Sequence, residues 1–226
     1  MAVTLKVSRA DLTHQADFVE PGFALFGGDP VGLTRRLFAK LSPYGVRLTD
    51  IRWDQGGGSL GDFSLLCYLF NFAATLRIKL EKVEIQCLDL NRVNVQQLTA
   101  ASMDALTLFE APELNTRFKT HSLSLGIHAL LENTNTRDFI NKFAFRGPEN
   151  LGPNVGHGIV FYYGAQDKRL SAAVTIDLSA IVKDGLYFRV LSVWDGQKVS
   201  TRELTTVAAD FLRSVYASFG LSPQER

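Results

Sequence analysis

Ser200–Phe219 reads STRELTTVAADFLRSVYASF, and this stretch decides the fold. Ser200 and Glu203 have the spacing of a capping box, in which each side chain satisfies a backbone N–H of the other. Leu204, Val207, Ala208, Phe211, Leu212, Val215 and Phe219 recur every three or four residues, so the spacing predicts a helix with one apolar stripe. Gly220 and then Pro223 end it. Leu204, Phe211 and Leu212 are expected to be core residues.

The same pattern occurs earlier in the chain. Asn94 and Gln97 form a second capping signal, and Leu98, Ala101, Ser102, Ala105, Leu106 and Phe109 each stand 106 positions before their counterparts in the first stretch. Asp29 with Pro30 opens another helix, whose apolar edge is Leu33, Leu37, Phe38 and Leu41. Asn135, Phe139 and Phe143 follow Asp29, Leu33 and Leu37 at the same 106-residue offset.

Between the helices the period changes from helical spacing to alternation, which marks strands. Leu76, Ile78 and Leu80 alternate with Thr75, Arg77 and Lys79; Val83, Ile85 and Cys87 continue the pattern. Leu123, Leu125, Ile127, Ala129 and Leu131 face one way, Ser122, Ser124, Gly126 and His128 the other. Further strands are expected at Thr4–Val7, Gly22–Phe26, Val46–Trp53, Phe63–Phe72, Gly158–Tyr163, Leu170–Leu178 and Leu186–Trp194.

Strands joined by short turns pair antiparallel, and amphipathic helices must bury their stripes on one side of the sheet. The expected fold is therefore α+β: an antiparallel sheet with helices packed on one face, residues 1–226 forming one two-lobed domain. Its half-repeats are residues 20–110 and 116–220, each of order β-α-β(n)-α. In that order the chain resembles the pseudo-twofold saddle of the TATA-binding protein fold and, more loosely, the helix-grip folds. The resemblance is one of element order, so it implies a fold and no function.

Composition narrows the function. Lys and Arg number 24 against 23 Asp and Glu, a net charge of +1, which lacks the basic excess of a duplex-DNA binder, so nucleic acid is not the expected partner. The opening MAVTLKVSRADL has no signal-like apolar run, and no stretch approaches the roughly 20 apolar residues of a membrane span. A cytoplasmic chain is expected, with Cys67 and Cys87 as small buried hydrophobes in a reducing compartment.

Motifs for chemistry are few. Gly56, Gly58 and Gly61 spell GxGxxG, and Ser59 sits in GxSxG, but both motifs need a helix behind them and Phe63–Phe72 has strand character. His121 and His128 are seven apart and face opposite sides of a strand; with His14 and His157 they are expected as surface imidazoles. No catalytic residue, metal ligand or cofactor is assigned.

The remaining feature is apolar surplus. Phe63–Phe72 is apolar on both faces, and Ile159–Tyr163 forms a comparable run, whereas helices cover only one face. Tyr68, Phe70, Phe72 and Tyr162 are the expected binding residues of an aromatic sheet face that meets a second copy or another protein without catalysis. The alternative is a small apolar ligand, bound or acted upon between sheet and helix. A third possibility is nucleic acid on the saddle, bases stacking on the aromatics while Arg77 and Lys79 meet phosphates.

Overall fold

The computed structural model describes residues 2–27, 29–54, 62–111, 114, 116–143, 158–164 and 169–224. Helix α5 (Thr201–Ser218) begins as its sequence requires: Ser200 Oγ accepts from the Glu203 amide and the Glu203 carboxylate accepts from the Ser200 amide. Asn94 caps α3 (Val95–Phe109) by accepting from the Gln97 amide at 3.0 Å. Asp29 caps α2 (Pro30–Leu41), with proline in the first turn, and Asn135 caps α4 (Thr136–Asn141).

These helices cover a ten-stranded sheet. Its strands are β1 (Val3–Phe18), β2 (Ile51–Asp54), β3 (Ser64–Leu69), β4 (Ala74–Lys79), β5 (Lys82–Cys87), β6 (Phe118–Leu131), β7 (Ile159–Gly164), β8 (Leu170–Leu178), β9 (Leu186–Asp195) and β10 (Leu221–Pro223). The order is β2-β3-β4-β5-β1-β6-β9-β8-β7, antiparallel throughout; β10 adds a short parallel pair to β1. The α+β class and the antiparallel sheet are as the sequence led us to expect.

Several segments differ from expectation. The first strand runs to Phe18 and not Val7, because Ala10, Leu12, His14, Ala16 and Phe18 alternate with Arg9, Asp11, Thr13, Gln15 and Asp17. Small and polar inward residues concealed that alternation. Gly22–Phe26 is no strand: Phe23–Gly27 forms the short helix α1. In the Val46–Trp53 segment a 3₁₀ turn at Leu48–Asp50 precedes β2. β3 ends at Leu69, and Phe70, Asn71 and Phe72 turn the chain at φ of 51°, 53° and 67°.

Register shows that one sheet face points at the helices. Ile85, His14, Leu123 and Ser192 lie side by side across β5, β1, β6 and β9. Two large cores form on that face, beside a small cluster of Trp194, Val199 and Leu204. One packs α2 and α3 on β2–β5, with Leu37, Leu76, Ile78 and Phe109 buried. The other packs α4 and the end of α5 on β8 and β9, with Phe139, Val174, Phe188 and Phe219 buried. β1 joins them: Leu5 and Ala10, on either side of a register shift between Val7 and Arg9, enter the second core, while Ala16 and Phe18 enter the first.

The opposite face is polar in its middle. Thr13, Gln15, Asp17, Thr120, Ser122 and Ser124 occupy its central strands, with Arg189 Nε donating to Ser124 Oγ at 2.9 Å and Thr120 Oγ1 donating to Asp17 at 2.8 Å. Arg9, Arg77, Lys79, Lys82 and Arg189 are interleaved with Asp11, Asp17, Glu84 and Asp177, and Lys82 pairs with Glu84 at 3.4 Å. Mixed signs of this kind do not build the basic track that single-strand binding uses. No helix among the described residues is long and apolar enough to cross a membrane.

Candidate functional site

The four aromatic residues expected to bind do not meet. Tyr68 lies on the helix-free face of β3, its ring 4.7 Å from that of Phe72 and 5.8 Å from the Arg52 guanidinium, a cation–π distance. Phe72 is exposed in the turn, and Phe70, in the same turn, packs half-buried against the first core. Tyr162 is 82% exposed on β7, beside Val160 and Tyr163. Seven strand spacings separate β3 from β7, roughly 33 Å along a sheet. The polar middle of the face lies between the two clusters.

An apolar concave feature lies on the other side, where α3 and α5 cross the central strands. Thr201 Oγ1 donates to the Glu110 carboxylate and ties the start of α5 to the end of α3. Away from this tie a cavity of about 280 Å³ opens between the helices and the sheet. Val95, Thr99, Ser102 and Met103 of α3 form one wall; Leu204, Thr205, Ala208, Ala209, Phe211 and Leu212 of α5 form the other. Leu12, His14, Leu123, Leu125, Val190 and Ser192 make the floor.

Side-chain size explains why the cavity exists. Ser102, Ala208 and Ala209 stand where larger apolar residues would close the gap. As a result Leu12, Leu123 and Leu125 are only half-buried at the centre of the sheet, while Ile85 and Val190 on the flanking strands are buried. Leu204 is buried as expected, whereas Phe211 and Leu212 are half-buried, packing against the core while also walling the cavity; Phe211 meets Trp194 edge-on at 6.0 Å.

The floor holds a polar group that the sequence had suggested would be at the surface. His14 and His121 are both buried, with His14 Nε2 and His121 Nδ1 3.3 Å apart, one donating to the other. Burial, then the neighbouring His121, depress the His14 pKa to about 3; burial lowers His121 to about 4 against the pull of Asp17. Both imidazoles are therefore neutral near pH 7. His128 is also buried, on the opposite face as its odd spacing requires, with Nδ1 2.8 Å from Ser179 Oγ; burial lowers its pKa too. His157 and the glycine run with its GxGxxG and GxSxG matches lie outside the described residues.

Three of the hydroxyl side chains lining the cavity have protein partners. Ser102 Oγ donates to the Leu98 carbonyl at 2.7 Å, Thr99 Oγ1 to that of Val95 at 2.8 Å, and Trp194 Nε1 donates to Ser192 Oγ at 3.2 Å. Among the described residues no Asp, Glu, Lys or Arg lines the cavity. Among the described residues no group of three or more His, Cys, Asp or Glu side chains gathers to hold a metal ion. Compared with models of known protein families and with curated proteins, the chain matches none.

Proposed function

We propose that the protein is a non-catalytic binder of a small apolar molecule, held between the sheet and helices α3 and α5. The observation that carries this reading is the cavity itself, which is apolar, central to the sheet and framed by two capped helices. The experiment is thermal unfolding with increasing toluene. A ligand that binds only the folded state raises stability by RT ln(1 + [L]/Kd), about 1.4 kcal/mol at tenfold excess over Kd. Toluene is expected to raise the melting temperature of the native chain and not that of Ala208→Trp, whose ring fills the cavity. Equal response of both proteins, or of neither, contradicts the reading.

Protein association remains a second proposal, carried by the 82% exposure of Tyr162 on a strand at the end of the sheet order. A second copy docking there would cover Tyr162, Tyr163 and Val160 and leave the Tyr68–Phe72 pair free. Sedimentation tests it: Tyr162→Ser should lower the apparent mass of a native oligomer, and a native monomer at high concentration argues against it.

The internal duplication is a proposal of the same kind. Its support is the 106-residue offset together with a sheet order in which β2–β5 of residues 20–110 lie to one side and β6–β9 of residues 116–220 to the other, with β1, which precedes both half-repeats, between them. We also place the chain in a reducing compartment, since Cys67 and Cys87 are free, buried thiols.

A further inference from the structure

We propose that the cavity's ligand is a neutral amphiphile, an apolar body bearing one hydroxyl group that hydrogen-bonds His14 Nδ1. The inference rests on the cavity being a binding site and adds the chemical class of its occupant.

Charge comes first. Among the described residues no ionised side chain lines the cavity, and an uncompensated carboxylate or ammonium group in such surroundings costs several kcal/mol, so the ligand carries no net charge. Size comes second. About 280 Å³, at the roughly 30 Å³ that a water molecule takes in the liquid, holds on the order of nine non-hydrogen atoms.

The polar contact follows from hydrogen-bond accounting. His14 is 6% exposed, lines the cavity and uses Nε2 on His121, while Nδ1 has no protein partner among the described residues. A buried polar atom of this kind is costly until something pairs with it. Ser102 and Thr99 donate to helix carbonyls and Ser192 accepts from Trp194, whereas His14 Nδ1 has no partner among the described residues and is buried, so His14 is the side chain we assign to orient a ligand. Its tautomer is set by the direction of the His14–His121 bond. If Nε2 donates, Nδ1 accepts; if Nε2 accepts, Nδ1 carries the proton and donates. A hydroxyl both donates and accepts, so it matches either state, whereas a hydrocarbon matches neither. Neutrality of both imidazoles at pH 7 keeps the cavity free of a counter-charge that would otherwise attract an anion.

Three para-substituted ethylbenzenes separate these contributions, each titrated calorimetrically into the full chain: 4-ethylphenol and 4-ethyltoluene, which match in size, and 4-ethylbenzoate, which is charged and slightly larger. One added hydrogen bond predicts that 4-ethylphenol binds about fivefold to tenfold tighter than 4-ethyltoluene, while 4-ethylbenzoate binds weakest of the three. His14→Phe should bring the two neutral affinities together. Because this variant could unfold, a second readout uses the native chain alone: the imidazole ¹⁵N resonances of His14 should move with 4-ethylphenol and stay in place with 4-ethyltoluene. Equal affinities for the two neutral probes or unmoved His14 nitrogens would overturn the inference while leaving the cavity as a hydrocarbon site; tighter binding of the carboxylate would overturn both the inference and the apolar reading of the cavity. Binding of none of the three would remove the cavity reading itself.

Discussion

Acidification from pH 7 to pH 4.5 is expected to destabilise the fold by a few kcal/mol through His14 and His121 together, since each pH unit below the ordinary imidazole value adds on the order of 1 kcal/mol for a ring that stays neutral in the folded state. In the unfolded chain both rings protonate near pH 6.5; in the folded chain they resist until about 3 and about 4. Between those limits the unfolded state binds more protons, so stability falls as pH falls. Above pH 6.5 these two groups contribute no slope. Burial dominates for both, because neither finds a carboxylate close enough to hold a charge in the interior; Asp17 only partly offsets the burial of His121. Urea unfolding at a series of pH values checks the slope, and a His14→Phe, His121→Leu double variant should lose most of it. In the native chain the two imidazoles should not titrate above pH 5 by NMR. Titration of either ring near pH 6.5 would mean that it is exposed and that the floor of the cavity is misassigned.

Phe188→Ala is expected to cost about 3 to 5 kcal/mol, the range for deleting a buried aromatic ring and leaving a void. Phe188 is 1% exposed on β9, stacked on Tyr216 at 5.7 Å and edge-on to Phe219 at 5.7 Å. It therefore joins the end of α5 to the sheet, and its loss loosens the helix that walls the cavity. Phe23→Ala is the control. Phe23 sits 60% exposed on α1, where a surface substitution should shift stability by no more than about 0.5 kcal/mol. Denaturant unfolding of the two variants beside the native chain makes the comparison; equal effects would contradict the core assignment.

The sequence and the structure agree where local chemistry is strong. The Ser200–Glu203 box and the apolar stripe behind it place α5 without reference to any other part of the chain, and the alternation in β6 assigns each residue to its observed face. They part where the signal is non-local or polar. β1 continues past Val7 through Ala10, His14 and Ala16, residues too small or too polar to mark an apolar face. Tyr68 and Tyr162 could be assigned to a face by alternation, but strand order sets the distance between them, and pairing of β1 with β6 depends on contacts 100 or more residues apart. The cavity had a weak local signal. Ser102 interrupts the stripe of α3, and Ser192 interrupts the alternation Leu186, Phe188, Val190, Trp194; each small polar residue at an inward position marks space that packing does not fill.

The measurement that tests the cavity most directly uses the two methionines of the chain, Met1 and Met103. Met103 lines the cavity. With methyl groups labelled by ¹³C, each residue gives one resonance, and a titration with 4-ethylphenol reports on both at once. Occupation of the cavity should move the Met103 methyl saturably and leave Met1 in place, and Ala208→Trp should abolish the shift. An unmoved Met103 methyl at saturating probe, or parallel drift of both methyls, would show that the cavity between α3 and α5 takes no ligand.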